Sequence, residues 1–112
     1  MLTLDAPRDN QGKGESFSPT DLLLTGLASC LLITAGIKAK SLGLSLEGSR
    51  AFGEKVMTTE APRRIARLTV ELELTGSCDE SARRDIESAI HSCPVSRSLN
   101  PEIDVEVKVE WA

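Results

Sequence analysis

The sequence predicts an α+β domain in which an antiparallel sheet packs on a long buried helix. Two stretches, "RIARLTVELEL" and "IDVEVKVEW", alternate apolar and polar residues as strands with one wet face do. A third stretch, Leu22 to Ile37, carries no charge over sixteen residues. It lies between helix start and stop signals. The predicted strands and helices do not alternate in the regular order of a parallel βαβ sheet, which favours α+β.

Each element follows from local chemistry. "LTL" near the start is extended, and "DAPRDNQGKGES" is a polar loop with a proline and two glycines. The loop ends in "SPTD", where Ser18 can cap a helix, Pro19 suits its first position and Asp21 completes an approximate capping box. The helix should run from Pro19 to about Leu42 and stop before Gly43. Leu22, Leu23, Leu24, Leu27, Leu31, Leu32, Ile33 and Ile37 occupy nearly all its sides, so burial all round is expected. Gly26 and Gly36 would admit another backbone. "LSLEGSRAFGEKV" reads as one or two strands with a glycine break, and "APRR" as a turn. In "RIARLTVELEL", Ala66, Leu68, Val70, Leu72 and Leu74 face inward. "GSCDESARRDIESAIHSC" is a second helix capped by Ser77 or Asp79, with Ala82, Ile86, Ala89, Ile90 and Cys93 on its core stripe. The last strand turns Ile103, Val105, Val107, Val109 and Trp111 inward. Neither a repeat nor a linker divides the chain, so residues 1–112 form one domain.

Composition narrows the function. The formal charge is −4 and the aromatics are only Phe17, Phe52 and Trp111. Neither the basic surface nor the stacking platform of a nucleic-acid binder is present. The uncharged stretch is shorter than the ~20 residues of a spanning helix and is interrupted by Thr25, Gly26, Ser29, Thr34 and Gly36, so a core helix is expected rather than a membrane one. No basic segment followed by an apolar run opens the chain, so no secretory signal is visible. Three cysteines are an odd and sparse set for a secreted disulfide scaffold, which points to a reducing cytoplasm.

The cysteines carry the chemistry. Cys30 lies in the buried helix, where a free cysteine can be a small hydrophobe with an inert thiol, or reactive if a cation stands near. Cys93 precedes Pro94. It can end one helix and open the next, with backbone N–H groups that would stabilise its thiolate, or Pro94 can be a plain helix stop. Cys78, between Ser77 and Asp79, sits at a turn beside acids that disfavour a thiolate and has no assigned role. Cys30, His91 and Cys93 could approach a zinc ion, but no CxxC-type pair completes the usual four ligands, so no metal is assigned.

Two motifs together, "SPTDLLLTGLASC" (18–30) and "HSCPVSRSL" (91–99), resemble those of the OsmC/Ohr family, osmotically inducible protein C and the organic hydroperoxide resistance proteins. The final "VEVKVEW" is similar to the family's last strand, and the likeness extends from about Leu4 onward. The resemblance implies an OsmC-like fold: an intertwined homodimer whose sheets wrap around long central helices. It implies thiol-dependent reduction of organic hydroperoxides, with Cys30 as peroxidatic and Cys93 as resolving cysteine. Arg8 falls near the family's loop arginine, which steadies thiolate and peroxide. In the organic hydroperoxide resistance branch a glutamate follows the helix-opening proline. Here Thr20 does, and Asp21 comes one later, which looks more like the OsmC-like branch. Family members usually carry strands before the segment matching "LTLDAP", so this chain starts late.

The chemistry so implied needs no bound cofactor. The Cys30 thiolate attacks ROOH and becomes a sulfenic acid, Cys93 condenses with it to a disulfide, and an external dithiol restores both thiols. Phe17, Leu27 and Leu31 would offer an apolar wall to a fatty or aromatic peroxide. The same residues are compatible with a non-enzymatic OsmC-like module that senses redox state or binds a small apolar ligand.

Overall fold

The computed structural model describes Gly12 and residues 17–112. The expected start strand, most of the polar loop and Arg8 lie outside the described residues. The elements are α1 (Pro19–Ser41), β1 (Arg50–Met57), β2 (Ile65–Leu74), α2 (Glu80–Ile90), α3 (Pro94–Arg97) and β3 (Asp104–Trp111).

α1 begins as its sequence dictates. The Asp21 N–H donates to Ser18 Oγ at 3.1 Å, and the Ser18 N–H donates to Asp21 Oδ2 at 3.0 Å, which completes the capping box. The helix ends at Gly43, whose φ of 74° suits a residue without Cβ. Lys38 and Lys40 occupy the last turn, where the helix dipole favours cations.

The sheet has the order β1-β2-β3. β1 and β2 are antiparallel, but β3 runs parallel to β2, so the sheet is mixed rather than wholly antiparallel. Period-two alternation reports which face is buried and says nothing of strand direction. The direction is set by the connection, since α2 and α3 lie between β2 and β3 as a crossover, and a parallel pair needs one. β1 is a single strand with Gly53 inside it. A Cβ there would lie 2.9 Å from Leu24 Cδ1, so glycine lets α1 lean on the strand.

Leu68, Val70, Leu72 and Leu74 of β2 are fully buried together with Leu27 and Leu31 of α1 and Ile86 and Ile90 of α2. Val105, Val107 and Val109 of β3 pair with Leu68, Val70 and Leu72 and pack on this core half-buried. The outer face carries ion pairs, Arg50–Glu73 at 2.8 Å and Arg67–Asp104 at 3.1 Å, of the exposed kind that adds little stability. Asp79 caps α2 by accepting the Ala82 N–H at 2.8 Å. β3 is tied to α2 at its end, where Trp111 Nε1 donates to Glu87 and the Arg83 guanidinium lies 5.1 Å from the Trp111 ring centre.

α1 is not buried all round in the single chain. Leu27, Leu31, Ala35 and Ala39 form its one buried stripe, while Ile33 and Ile37 are 61% and 67% exposed. Gly26 and Gly36 approach no other backbone, for a Cβ at either would meet nothing within 4 Å. The cause is supply: among the described residues, three strands and two short helices cover one side of a 23-residue helix. By length and composition alone α1 could cross a membrane, but its buried stripe is engaged by the sheet and α2.

Candidate functional site: two apposed thiols

Cys30 stands at the middle of α1, on the flank that meets the corner between α2 and α3. α2 ends at His91, and Cys93 is the residue from which α3 starts, with Pro94 in the first helical position. The amphipathic stripe of α2 pulls this corner inward, so that Ile90 and Cys93 are both buried. The Cys93 N–H donates to the Ile90 carbonyl at 3.2 Å, which fixes the turn. The two sulfurs thus come within interaction range, both as free thiols.

Their environments push them in opposite directions. Burial is the largest single influence on Cys30 and raises its pKa, but hydrogen bonds from the Cys93 thiol, the Val95 amide and the Thr34 hydroxyl together outweigh it. The net shift is downward. For Cys93, burial again comes first, and the neighbouring Cys30 adds to it. The Ser96 and Val95 amides oppose them without prevailing, and the net shift is upward. The helix start at Cys93 does not by itself bring its pKa down. α3 has only four residues, and the Cys93 thiol makes no capping hydrogen bond. Of the two thiols, Cys30 is thus the one whose surroundings favour the charged form, and Cys93 the one whose surroundings favour the proton.

His91 is exposed, and among the described residues no group of three or more His, Cys, Asp or Glu side chains stands together as metal ligands would. Cys78 is half-buried at the turn before α2, beside Leu42 and Leu44, apart from the pair. Leu27 and Leu31 point into the core and do not form an accessible wall. The apolar cavity on α1, about 480 Å³, lies instead between the helix and β1. It is lined by Phe17, Leu24, Ala28 and Leu32 among others, with Asp21 at one side, and Cys30 does not line it.

Lys55 was not singled out by its sequence context. It donates to Asp21 Oδ1 and, at 3.3 Å, to Ser18 Oγ. The hydrogen bond from Lys55, then that from the Ser18 amide, hold the Asp21 carboxyl below the usual carboxylate range. The signal was available: once β1 is read as one strand, Ala51, Gly53, Lys55 and Met57 share a face, and a lysine on an inward face needs an acid. The acid in the first turn of α1 is thus already engaged by a strand lysine.

A small α+β fold in which a long helix brings one thiol against a buried second thiol defines a paired-cysteine protein. The chain belongs to the OsmC family, whose model, described as OsmC-like protein, matches residues 12–108. Among solved structures, it is similar to a candidate osmotic stress induced and detoxification response protein of Psychrobacter arcticus. The two are 40% identical over 96% of this chain and 77% of that one, with a TM-score of 0.87. A candidate organic hydroperoxide resistance protein of Vibrio cholerae, crystallised with captopril in one of its active sites, is 26% identical. That match covers 96% of this chain and 75% of the other, with a TM-score of 0.73. The uncharacterised Bacillus subtilis protein YmaD is 28% identical, over 98% of this chain and 79% of its own length.

Proposed function

We propose that this protein reduces organic hydroperoxides through a Cys30–Cys93 disulfide cycle. The observation that carries the reading is the opposite perturbation of two apposed thiols, which supplies a thiolate and a protonated partner at one place. The Cys30 thiolate attacks one peroxide oxygen, the O–O bond breaks, and the alkoxide takes up a proton and leaves as the alcohol. Cys30 is then a sulfenic acid. The Cys93 sulfur attacks it, water leaves, and a Cys30–Cys93 disulfide remains. An external dithiol reduces that disulfide by exchange and is itself oxidised. A reducing cytoplasm would supply the dithiol, and the protein would need no bound cofactor. Arg8 is assigned the part of steadying thiolate and peroxide. The membership of the family and the likeness to the Vibrio cholerae protein support the substrate class.

With a dithiol present, steady-state consumption of tert-butyl or fatty acid hydroperoxide should exceed that of hydrogen peroxide. Equal, slow consumption of all three would remove the peroxidase reading. A second reading, a redox-sensing module without turnover, is favoured by one observation: Asp21, the acid that stands in the first turn of α1, is already held by Lys55. It predicts oxidation of both thiols by peroxide but no sustained consumption.

The homodimer belongs to the same proposal. Leu22, Leu23, Ile33 and Ile37 leave an apolar face on α1 that nothing among the described residues covers, and an exposed patch of this kind marks an association surface. Light scattering at micromolar concentration should give twice the 12.0 kDa chain mass. A stable monomer would contradict it.

A further inference from the structure

Within α1, two threonines behave differently. Thr25 does what a helical threonine ordinarily does, donating its hydroxyl to the carbonyl one turn back, Asp21 O, at 2.8 Å. Thr34 is placed to do the same to the Cys30 carbonyl. Instead its Oγ1 lies 4.0 Å from the Cys30 Sγ, its only hydrogen-bond partner among the described residues. That separation is at the long end for a bond to neutral sulfur. A charged acceptor draws its donors closer, and once Cys30 is ionised the hydroxyl is the only one of the two groups that can donate.

We propose that Thr34 is a positioning residue for the Cys30 thiolate: its hydroxyl, one helical turn on, forgoes the usual bond to the helix backbone and donates to the Cys30 sulfur. The role has a physical motive. The groups that act on Cys30 from the described residues are all neutral: the Cys93 thiol and the Val95 amide from the α2–α3 corner, and the Thr34 hydroxyl from α1 itself. His91 and Arg97, the ionisable side chains nearest in sequence to that corner, are exposed and are not among the groups that act on it. A half-buried thiolate that meets only neutral dipoles among the described residues draws on each of them. Thr34 is also the one donor on the same rigid helix as the sulfur, so its geometry survives movement of the corner that carries Cys93. This inference deepens the assignment of Cys30 as the ionised thiol but does not need peroxide turnover.

The test reads the thiolate directly. In the full chain carrying Cys78→Ser, the rate of iodoacetamide alkylation at Cys30 is followed by peptide mass spectrometry from about pH 6 to 9, a range that spans perturbed thiols. Thr34→Val keeps the shape and removes the hydroxyl. It should move the Cys30 profile to higher pH and slow alkylation near pH 7 by about three- to tenfold, the net worth of one ordinary hydrogen bond. Thr34→Ser should restore the parent profile. A Val variant that matches the parent would overturn the proposal. So would a Ser variant as slow as Val, since packing of the methyl group would then be the cause. If Val proves misfolded by circular dichroism, Thr34→Ala replaces it with the same expectations. Because the reagent is not a peroxide, a lack of peroxidase activity leaves this result standing, and normal turnover with an unchanged profile still sinks it.

Discussion

Cys93→Ser should consume about one equivalent of organic hydroperoxide and then stop, while Cys30→Ser should consume none. The argument rests on where the proton sits. Only the thiolate is nucleophilic, and Cys30 is the thiol whose surroundings favour charge. Cys93 is fully buried and burial pushes its pKa up, which suits a thiol that waits for a sulfenic acid to form beside it. Its replacement removes the condensing partner but leaves the Val95 amide and the Thr34 hydroxyl on Cys30. The serine hydroxyl can still donate where the thiol did, so the first oxidation survives. A sulfenate-specific probe should label Cys30 in Cys93→Ser and nothing in Cys30→Ser. Labels appearing on Cys93 instead would reverse the roles.

Ile90→Ala should cost about 2–5 kcal/mol of stability, a large share of the ~5–15 kcal/mol of an ordinary domain. Ile90 is 1% exposed, ends α2 and belongs to the same buried cluster as Cys93, Leu31 and Leu72. Truncation leaves a cavity where the helical corner meets α1, and the corner has little else to hold it because α3 is a single turn. Urea unfolding at fixed protomer concentration should show a lower midpoint with an unchanged slope. A loss below about 1 kcal/mol would mean that the site collapses around the gap and that the corner is not set by core packing.

Much of this fold was legible from the chain. "SPTD" spelled out the start of α1, the alternation of "RIARLTVELEL" gave the inner face of β2, and the stripe from Ala82 to Cys93 put Cys93 in the core. What stayed hidden depends on facts that a local pattern does not hold. Strand direction is set by the crossover, which period two does not encode. The apolar residues of α1 say that the helix seeks cover on all sides, not that the described residues supply it on one side only. At the site, the residues brought Cys30 and Cys93 to attention and left open which is the thiolate, and the family resemblance put it on Cys30. The balance depends on burial and on which sulfur receives the donors, and neither is written in the order of residues. Lys55 and Thr34 were missed for the same reason: each looks ordinary until its partner, far along the chain or one turn back, is placed beside it.

The central claim is that Cys30 and Cys93 work as one redox pair, and a single measurement on the unaltered protein addresses it. The reduced protein is treated with one equivalent of cumene hydroperoxide, remaining thiols are blocked, and peptides are mapped without reduction. The account predicts the loss of two thiols per chain, a Cys30–Cys93 crosslinked peptide and an unmodified Cys78. Three intact thiols, or a crosslink that joins Cys78, would contradict it.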